Sequence, residues 1–452
     1  MLSVHQHWDP LKVMAVGRSY PPEFYNKIKS PRVRDVMKRI AIETEEDYQK
    51  LISKLKEFGV KIIRTDLSED PEVYVNNGMV TVPPPMCPRD FTAMVGNKFY
   101  MPGDNYGENF DVGMVMSEMF EQIYTTEGND IAYEISKEIE DCLEPNNYSP
   151  KEAFIKLKSR MKRRGWKKDG ETDIKIKLPR GYQYKYRDYS IDASAMKKFL
   201  NFKPMMDKII ASQTLTIGSN FKFPNNKNYY SFSTIKKFLE DNNVPIVYDT
   251  YVNSASMTRV GKDLFFSSMN IINEINKEGF SRKWRNLFPD YNVHAVTVNG
   301  HSDGYFCPVV PGLIMSIKKM KNYTETFPNW EVVYLHNESW DKVGKFLKKK
   351  QNHHLKWWIP GEEENEELID YINDWLEDWV TFVEESVFDV NMVVIDQKNV
   401  IVNGYNKQVW EAFDRYGITP HIINFRHRYF WDGGLHCITS DLHREGNMKT
   451  FW

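Results

Sequence analysis

The chain has 452 residues, which is enough to bury a large core in one large domain or in two or three ordinary ones. Its 60 Lys and Arg residues nearly balance 62 Asp and Glu residues, so the formal net charge is -2 and the overall field does not favour a polyanionic partner. Aromatic residues make up 14% of the chain, which is typical of a globular protein and excludes a mainly disordered one.

The cysteines and the N-terminal residues indicate the cellular compartment in which the protein is expected. None of the four cysteines lies in a CxxC pair, which favours a reducing compartment over a disulfide framework or a thiolate zinc site; they are Cys87, Cys142, Cys307 and Cys437. The first residues lack the basic start and apolar core of a secretion signal, and no apolar run is long enough to span a bilayer. We therefore expect a soluble, cytoplasmic protein that contacts no membrane and binds neither a metal nor a cofactor.

One local pattern recurs along the chain: a helix ends, the chain turns, and an apolar strand follows. In the first copy the apolar residues from Tyr48 to Phe58 have helical spacing, Gly59 is a typical residue after a helix C-terminus, and residues 60–63 form the strand. Four further copies are predicted at 238–247, 288–296, 327–334 and 413–423.

Hairpin-like segments alternate with these joints. They cover residues 91–101, 257–266, 305–317 and 391–402. The two chain ends, 11–17 and 437–451, also look extended and would complete a fifth unit. A unit of hairpin, helix and strand cannot cover its own apolar face, so packing around a centre is the expected solution, with ordinary α/β alternation as the alternative. We predict a single α/β domain over residues 1–452.

Residues 103–237 break the pattern and are predicted to be an inserted, mostly helical segment or subdomain. A basic run occupies residues 156–168 within it. Such a run could bind nucleic acid, but the balanced overall charge favours a solvated helix face.

If the units surround a centre, the loops that follow the joints meet there. They carry Asp90, the serines of 254–256, His301 with Asp303, and Cys437. A lone cysteine is more often a buried apolar residue than a nucleophile, and a lone His-x-Asp is as often a surface pair or a metal fragment. On a strand, however, His301 and Asp303 would point to the same face.

Together these residues suit a guanidinium group. Two carboxylates accept the N–H donors of this planar cation and hold its central carbon for attack. The bound cation would favour the thiolate of Cys437. His301 could protonate the departing amine and later deprotonate the incoming nucleophile, whose identity decides the product.

At these residues the chain resembles the guanidino-group modifying enzymes, and among them the arginine:glycine amidinotransferases. The shared motifs are short but run along most of the chain; they include Trp8-Asp9-Pro10-Leu11, Pro88-Arg89-Asp90-Phe91, Arg259-Val260-Gly261-Lys262-Asp263, His301-Ser302-Asp303 and Gly434-Leu435-His436-Cys437. The insertion is not covered. The resemblance implies a pentein fold, which is a five-bladed, pseudo-fivefold α/β propeller of ββαβ modules.

The resemblance also implies roles for individual residues. Cys437 would take an amidino group from arginine as a covalent intermediate, release ornithine, and pass the group to an amine. His301 would be the acid and base, and Asp90 and Asp303 would bind the guanidinium. Asn299 is also predicted to bind the substrate.

Three positions depart from the family pattern. Ser256 replaces an acidic residue beside the histidine, and a serine cannot stabilise an imidazolium by charge; Asp249 is a candidate substitute. The arginine that would bind the substrate carboxylate is missing, and Lys319 or Lys321 could serve there as a point charge. Ser440 stands where close relatives have a second cysteine.

The predicted function is transfer of an amidino group from arginine, or a related guanidino donor, to an amine other than glycine. One alternative is a guanidino-group hydrolase of deiminase or dihydrolase type on the same scaffold. The other is a catalytically impaired family member that acts as a binding protein. The predicted partners are the small-molecule donor and acceptor, with a homodimer as one option and nucleic acid as a disfavoured one.

Overall fold

The protein is described here by a computed structural model. It describes residues 2–67, 72–75, 78–81, 83–101, 168–169, 173–177, 214–217, 232–249, 252–267, 284–296, 301–317, 327–335, 348, 357–376, 379–380 and 388–452. Among these residues no helix is both long enough and apolar enough to cross a bilayer.

The described residues form short strands and a few helices. The strands are β1 Leu11–Val16, β2 Lys61–Arg64, β3 Glu72–Val75, β4 Gly78–Thr81, β5 Ala93–Val95, β6 Lys98–Met101, β7 Lys168–Asp169, β8 Asp173–Lys177, β9 Thr214–Ile217, β10 Ile246–Tyr248, β11 Met257–Val260, β12 Asp263–Ser267, β13 Asn292–Val296, β14 Phe306–Val310, β15 Leu313–Ser316, β16 Glu331–Tyr334, β17 Val393–Asp396, β18 Asn399–Val402, β19 Thr419–Ile422 and β20 Thr439–Arg444. The helices are α1 Pro31–Glu57, α2 Ser233–Asp241, α3 Glu366–Trp375, α4 Lys407–Tyr416 and α5 Arg428–Trp431. Short 3-10 helices cover Pro22–Lys27, Pro88–Asp90 and Ser302–Gly304.

Five three-stranded sheets share one topology. In each, two antiparallel strands are followed by a third strand that pairs in parallel with the second; the orders are β20-β1-β2, β5-β6-β10, β11-β12-β13, β14-β15-β16 and β17-β18-β19. The first of these joins the two ends of the chain, because β20 pairs with β1. The four predicted hairpins are therefore present, and helical residues precede the predicted strand at 60–63 and those of the joints at 238–247, 288–296 and 413–423. For the joint at 327–334, only the turn and the strand lie within the described residues. The two remaining sheets are β3-β4 and β7-β8-β9.

In these five sheets, the residues of the first strand are more buried than those of the third strand. β11 and β14 are buried along their whole length, whereas β16 and β19 have exposed or half-buried residues throughout. The first strands therefore face the interior, and β20 contacts β5 there. This order brings the loops that precede the first strands close to one another.

Part of the predicted 103–237 insertion can be compared with the structure. Its described residues are β7, β8 and β9, which pair antiparallel, and the first turn of α2. α2 begins at Ser233, inside the predicted segment, but leads directly into β10, and its buried Ile235 and Leu239 pack in the same apolar cluster as Phe99 of β6. It is therefore part of the second repeated unit. The rest of the insertion, including most of the basic run, lies outside the described residues.

Gly417 ends α4 in a left-handed conformation, with φ at 65°, and its amide binds the carbonyl oxygen of Asp414. Nothing lies within 4 Å of the position that a Cβ would take, so only backbone strain opposes a side chain there. We expect Gly417→Ala to lower the free energy of unfolding by about 1 kcal/mol. Urea unfolding would measure this, with Gly404→Ala as the control, because that site has open space without a positive φ. Equal effects of the two substitutions would contradict the prediction.

Candidate functional site

The loops before four first strands meet at one place, as the sequence predicted. The amide of Ser254, before β11, donates to the carbonyl oxygen of Arg89, before β5, at 3.1 Å. The amide of Asp303, before β14, donates to the carbonyl oxygen of Ala255 at 3.3 Å. Cys437, before β20, completes the group, since its Sγ lies 3.7 Å from Asp303 Oδ2.

Cys437 lies in a turn and not in the strand that its sequence pattern predicted. The amide of Ile438 donates to the carbonyl oxygen of Gly434 at 3.2 Å. The amides of Cys437 and of the residue before it both bind Asn391 Oδ1, at 3.3 and 2.8 Å. Because these amides are used within the turn and by a side chain, they are not available to a sheet, and β20 begins only at residue 439.

The two glycines before Cys437 allow close packing. A Cβ at Gly433 would lie 2.9 Å from Cys87 Sγ, and one at Gly434 would lie 2.4 Å from Asn391 Oδ1. Glycines at these two positions therefore admit neighbouring protein groups close to the turn that carries the cysteine.

Two carboxyl groups lie close to each other, and one of them, Asp303, lies beside the cysteine. Asp303 is 6% exposed and Asp90 is half-buried, and in the described part of the chain the Oδ1 atom of each is buried without a hydrogen-bond partner. Burial, and then the charge of Asp303, raises the pKa of Asp90 well above its ordinary value. Burial also raises the pKa of Asp303, although His301 and Arg89 oppose the shift. The pair is therefore an electrostatically costly arrangement that a cation with N–H donors would relieve.

His301 lies at the exposed side of this group. Its Nδ1 is 3.8 Å from Asp90 Oδ1, and its side chain is 35% exposed. The prediction that His301 and Asp303 share a strand face is wrong, because a 3-10 helix begins directly after His301 and β14 begins only at Phe306. The two residues are nonetheless neighbours, since His301 lowers the pKa of Asp303.

His436 belongs to the site but was not predicted. Its Nδ1 lies 2.7 Å from Asp303 Oδ2. Burial, reinforced by the charge of Arg89, lowers the pKa of His436 well below its ordinary value, so the imidazole is neutral. In a neutral ring, the tautomer with its proton on Nδ1 donates a hydrogen bond to Asp303. Its position next to the cysteine was the only signal in the sequence.

A buried ion cluster lies behind the site. Asp441 accepts hydrogen bonds at 2.8–2.9 Å from Arg89, Arg259 and Arg444, and all four side chains are almost fully buried. Arg89 Nε also donates to the carbonyl oxygens of His436 and Thr439, each at 2.8 Å. The cluster thus joins the loop of Asp90 to the turn of Cys437.

The described residues contain no group of three or more His, Cys, Asp or Glu side chains that could hold a metal ion.

The curated proteins that are similar to this chain include amidinotransferases. No protein-family model matches the chain. It is 22% identical over 209 residues to the mitochondrial glycine amidinotransferase of Xenopus tropicalis, covering 45% of this chain and 41% of that protein. It is also 22% identical over 210 residues to the L-arginine:L-lysine amidinotransferase of Pseudomonas savastanoi pv. phaseolicola, covering 45% and 47%. Over about 210 residues the chain is therefore similar to these two amidinotransferases.

The chain matches less than half of the length of these amidinotransferases. Among solved structures, the inosamine-phosphate amidinotransferase of Streptomyces griseus is 15% identical, with a TM-score of 0.48, over 100% of this chain and 99% of the other. An amidinotransferase of saxitoxin biosynthesis from Microseira wollei is 14% identical, also with a TM-score of 0.48, over the same shares of the two chains.

Ser256, the main departure from the amidinotransferase pattern, is half-buried, and its amide binds Asn253 Oδ1 at 2.8 Å. No hydrogen bond joins Ser256 to His301 in the described part of the chain. Asp249, the proposed substitute, accepts the amide of Val252 at 3.0 Å and so closes a turn. The carboxyl group of Asp90 does lie beside His301, with its Oδ1 3.8 Å from Nδ1.

The remaining predicted residues of an amidinotransferase site cannot be compared. Lys319, Lys321 and Asn299 lie outside the described residues. Their roles in substrate binding stay predictions. Ser440 is fully buried, and Thr92 Oγ1 lies 3.4 Å from its Oγ.

Proposed function

We propose that the protein is an amidinotransferase that moves an amidino group from arginine, or a related guanidino donor, to an amine through a covalent intermediate on Cys437. The observation that carries this proposal is the pair of buried Oδ1 atoms of Asp90 and Asp303, which have no hydrogen-bond partner among the described residues, with the sulfur of Cys437 3.7 Å from Asp303. The similarity to amidinotransferases supports it.

Substrate binding follows from the two carboxyl groups. A guanidinium carries N–H donors in one plane, and it would supply partners to the Oδ1 atoms of Asp90 and Asp303 together with the positive charge that their burial requires. The same charge favours the thiolate of Cys437 over the thiol. Substrate binding would therefore create the nucleophile at the moment that the electrophilic carbon arrives.

The reaction then needs one proton carrier. The thiolate attacks the central guanidinium carbon, the bond from that carbon to the departing amine breaks, and the amine takes a proton from His301. An incoming amine next attacks the amidino carbon, gives a proton to His301, and the carbon–sulfur bond breaks to restore the thiolate. The partly exposed His301 is suited to this role, whereas His436 is buried and hydrogen-bonded to Asp303.

The fold proposed for this chemistry is the pentein propeller, with the five equivalent sheets as its blades. Their shared topology and their buried first strands support it. Residues 1–452 would form one domain interrupted by the 103–237 insertion. A cytoplasmic location, a homodimer and the amine acceptor stay predictions, as does a nucleic-acid contact through the basic run.

Intact-mass analysis after incubation with arginine tests the proposal. We expect the protein to gain the mass of one amidino group and to release ornithine, and Cys437→Ala to do neither. Cys307→Ala is a matched control, because Cys307 is also a buried cysteine. Absence of both adduct and ornithine with every amine tested would contradict an enzymatic role and favour the binding-protein alternative. Repeated turnover that depends on an added amine indicates transfer, whereas release of more than one ornithine per protein without an added amine indicates a hydrolase.

A further inference from the structure

One side chain contacts the sulfur of Cys437 more closely than the carboxyl group does. Asn391 Nδ2 donates to Cys437 Sγ at 2.9 Å, and Asn391 is fully buried at the start of the hairpin formed by β17 and β18. Its Oδ1 accepts the amides of residues 436 and 437. Since an amide oxygen cannot donate, the two accepted amides fix the orientation of the group and direct its N–H toward the sulfur.

Asn391 is itself held in place. Asn403 Nδ2 donates to the carbonyl oxygen of Asn391 at 2.9 Å and to that of Phe388 at 3.0 Å. Asn391 Nδ2 also lies 3.5 Å from the carbonyl oxygen of Asp303. The side chain therefore touches the turn of Cys437 and the segment of Asp303 at once.

The other described groups named near the sulfur have different contacts. Asp303 lies 3.7 Å away and repels a thiolate when ionised. His436 is neutral and donates to Asp303, and Arg89 donates to backbone oxygens on either side of Cys437 and to Asp441. Cys87 packs against Gly433 on the other side of the turn.

We propose that Asn391 positions Cys437 for attack: its oxygen holds the turn that carries the cysteine, and its N–H group stabilises the thiolate against the neighbouring carboxylate. A hydrogen bond to the charged form of a group favours that form. The catalytic consequence rests on the proposed function, but the effect on the thiolate does not.

The thiolate content of the free protein tests this inference without any substrate. Ultraviolet absorbance of the thiolate would be titrated against pH for each variant, and the same variant carrying Cys437→Ala would be subtracted. Asn391→Asp keeps the shape of the side chain but removes the donor and adds a negative charge. We expect the midpoint for Cys437 to rise by about one to two pH units. Asn391→Ala removes the donor without adding charge, and we expect a smaller rise.

A second perturbation leaves Asn391 itself unchanged. The Cβ of Gly434→Ala would meet Asn391 Oδ1 at 2.4 Å and push the amide away, so the midpoint is again expected to rise. Gly404→Ala is the matched control, because nothing lies within 4 Å of its Cβ position, and it should leave the midpoint unchanged.

The outcomes separate the alternatives. If Asn391→Asp folds and its thiolate midpoint is unchanged, the inference is overturned, even if the variant forms less arginine adduct. If Asn391→Asp does not fold, an unchanged midpoint in Gly434→Ala overturns the inference. A raised midpoint in both, and not in Gly404→Ala, would support it. If the unmodified protein forms no adduct with arginine, the proposed function fails, and the titration still decides the role of Asn391.

Discussion

Asp441→Asn is expected to lower the free energy of unfolding by about 3–5 kcal/mol, which is the usual cost of removing one partner from a buried ion pair. The carboxylate accepts hydrogen bonds from Arg89, Arg259 and Arg444, each of which is almost fully buried. An asparagine would turn an N–H group toward these cations and leave their charges without compensation. The expected measurement is a lower midpoint of urea unfolding, with an unchanged slope.

The control for this prediction is Asp263→Asn. Asp263 is also almost fully buried, but it binds Asn292 and His294 and no arginine, so the loss should be clearly smaller. The pH dependence is a second check. Although burial acts to raise the pKa of Asp441, the three arginines hold it well below its ordinary value. A lowered pKa contributes stability above the unfolded value of about 3.9 and loses it as the pH falls through the folded value. The difference in unfolding free energy between the unmodified protein and Asp441→Asn should therefore persist at neutral pH and become smaller only in acid.

Asp90→Asn is expected to have opposite effects on stability and on activity. The substitution removes a charge whose buried Oδ1 has no hydrogen-bond partner among the described residues, so the free protein should become more stable at neutral pH. Each unit by which the pKa of Asp90 is raised corresponds to about 1.4 kcal/mol. The variant also loses one of the two proposed guanidinium contacts, and adduct formation with arginine should fall by about a hundredfold or more.

The sign of the pH dependence follows from the raised pKa of Asp90. Between the unfolded and folded values, the folded protein binds more protons than the unfolded chain, so its stability falls as the pH rises. The advantage of Asp90→Asn should therefore be largest above the folded pKa, shrink as the pH falls below that value, and disappear below the unfolded pKa of about 3.9. Asp370→Asn, at an exposed position of α3, should change neither property. A variant that is less stable than the unmodified protein at neutral pH would contradict the electrostatic account of this site.

The sequence by itself determined the repeated unit and the chemistry-bearing residues. Apolar periodicity and turn residues such as Gly59 and Gly417 act between neighbours in the chain, so the five joints and the hairpins could be predicted from local pattern. The segments of Asp90, His301, Asp303 and Cys437 could be placed together because each comes just before a first strand. Their roles in catalysis remain predictions.

Only the tertiary structure decided how those residues are held. Asn391 reaches Cys437 across 46 positions in the sequence, and Arg89 reaches Asp441 across 352. His436 has a role only because the fold brings Asp303 to it. The backbone at the site was also predicted wrongly, since residues 302–304 form a 3-10 helix and Cys437 lies in a turn. The physical reason is the same in each case: these groups are buried, and a buried polar group takes the partner that the fold supplies, which the pattern of neighbouring residues does not record.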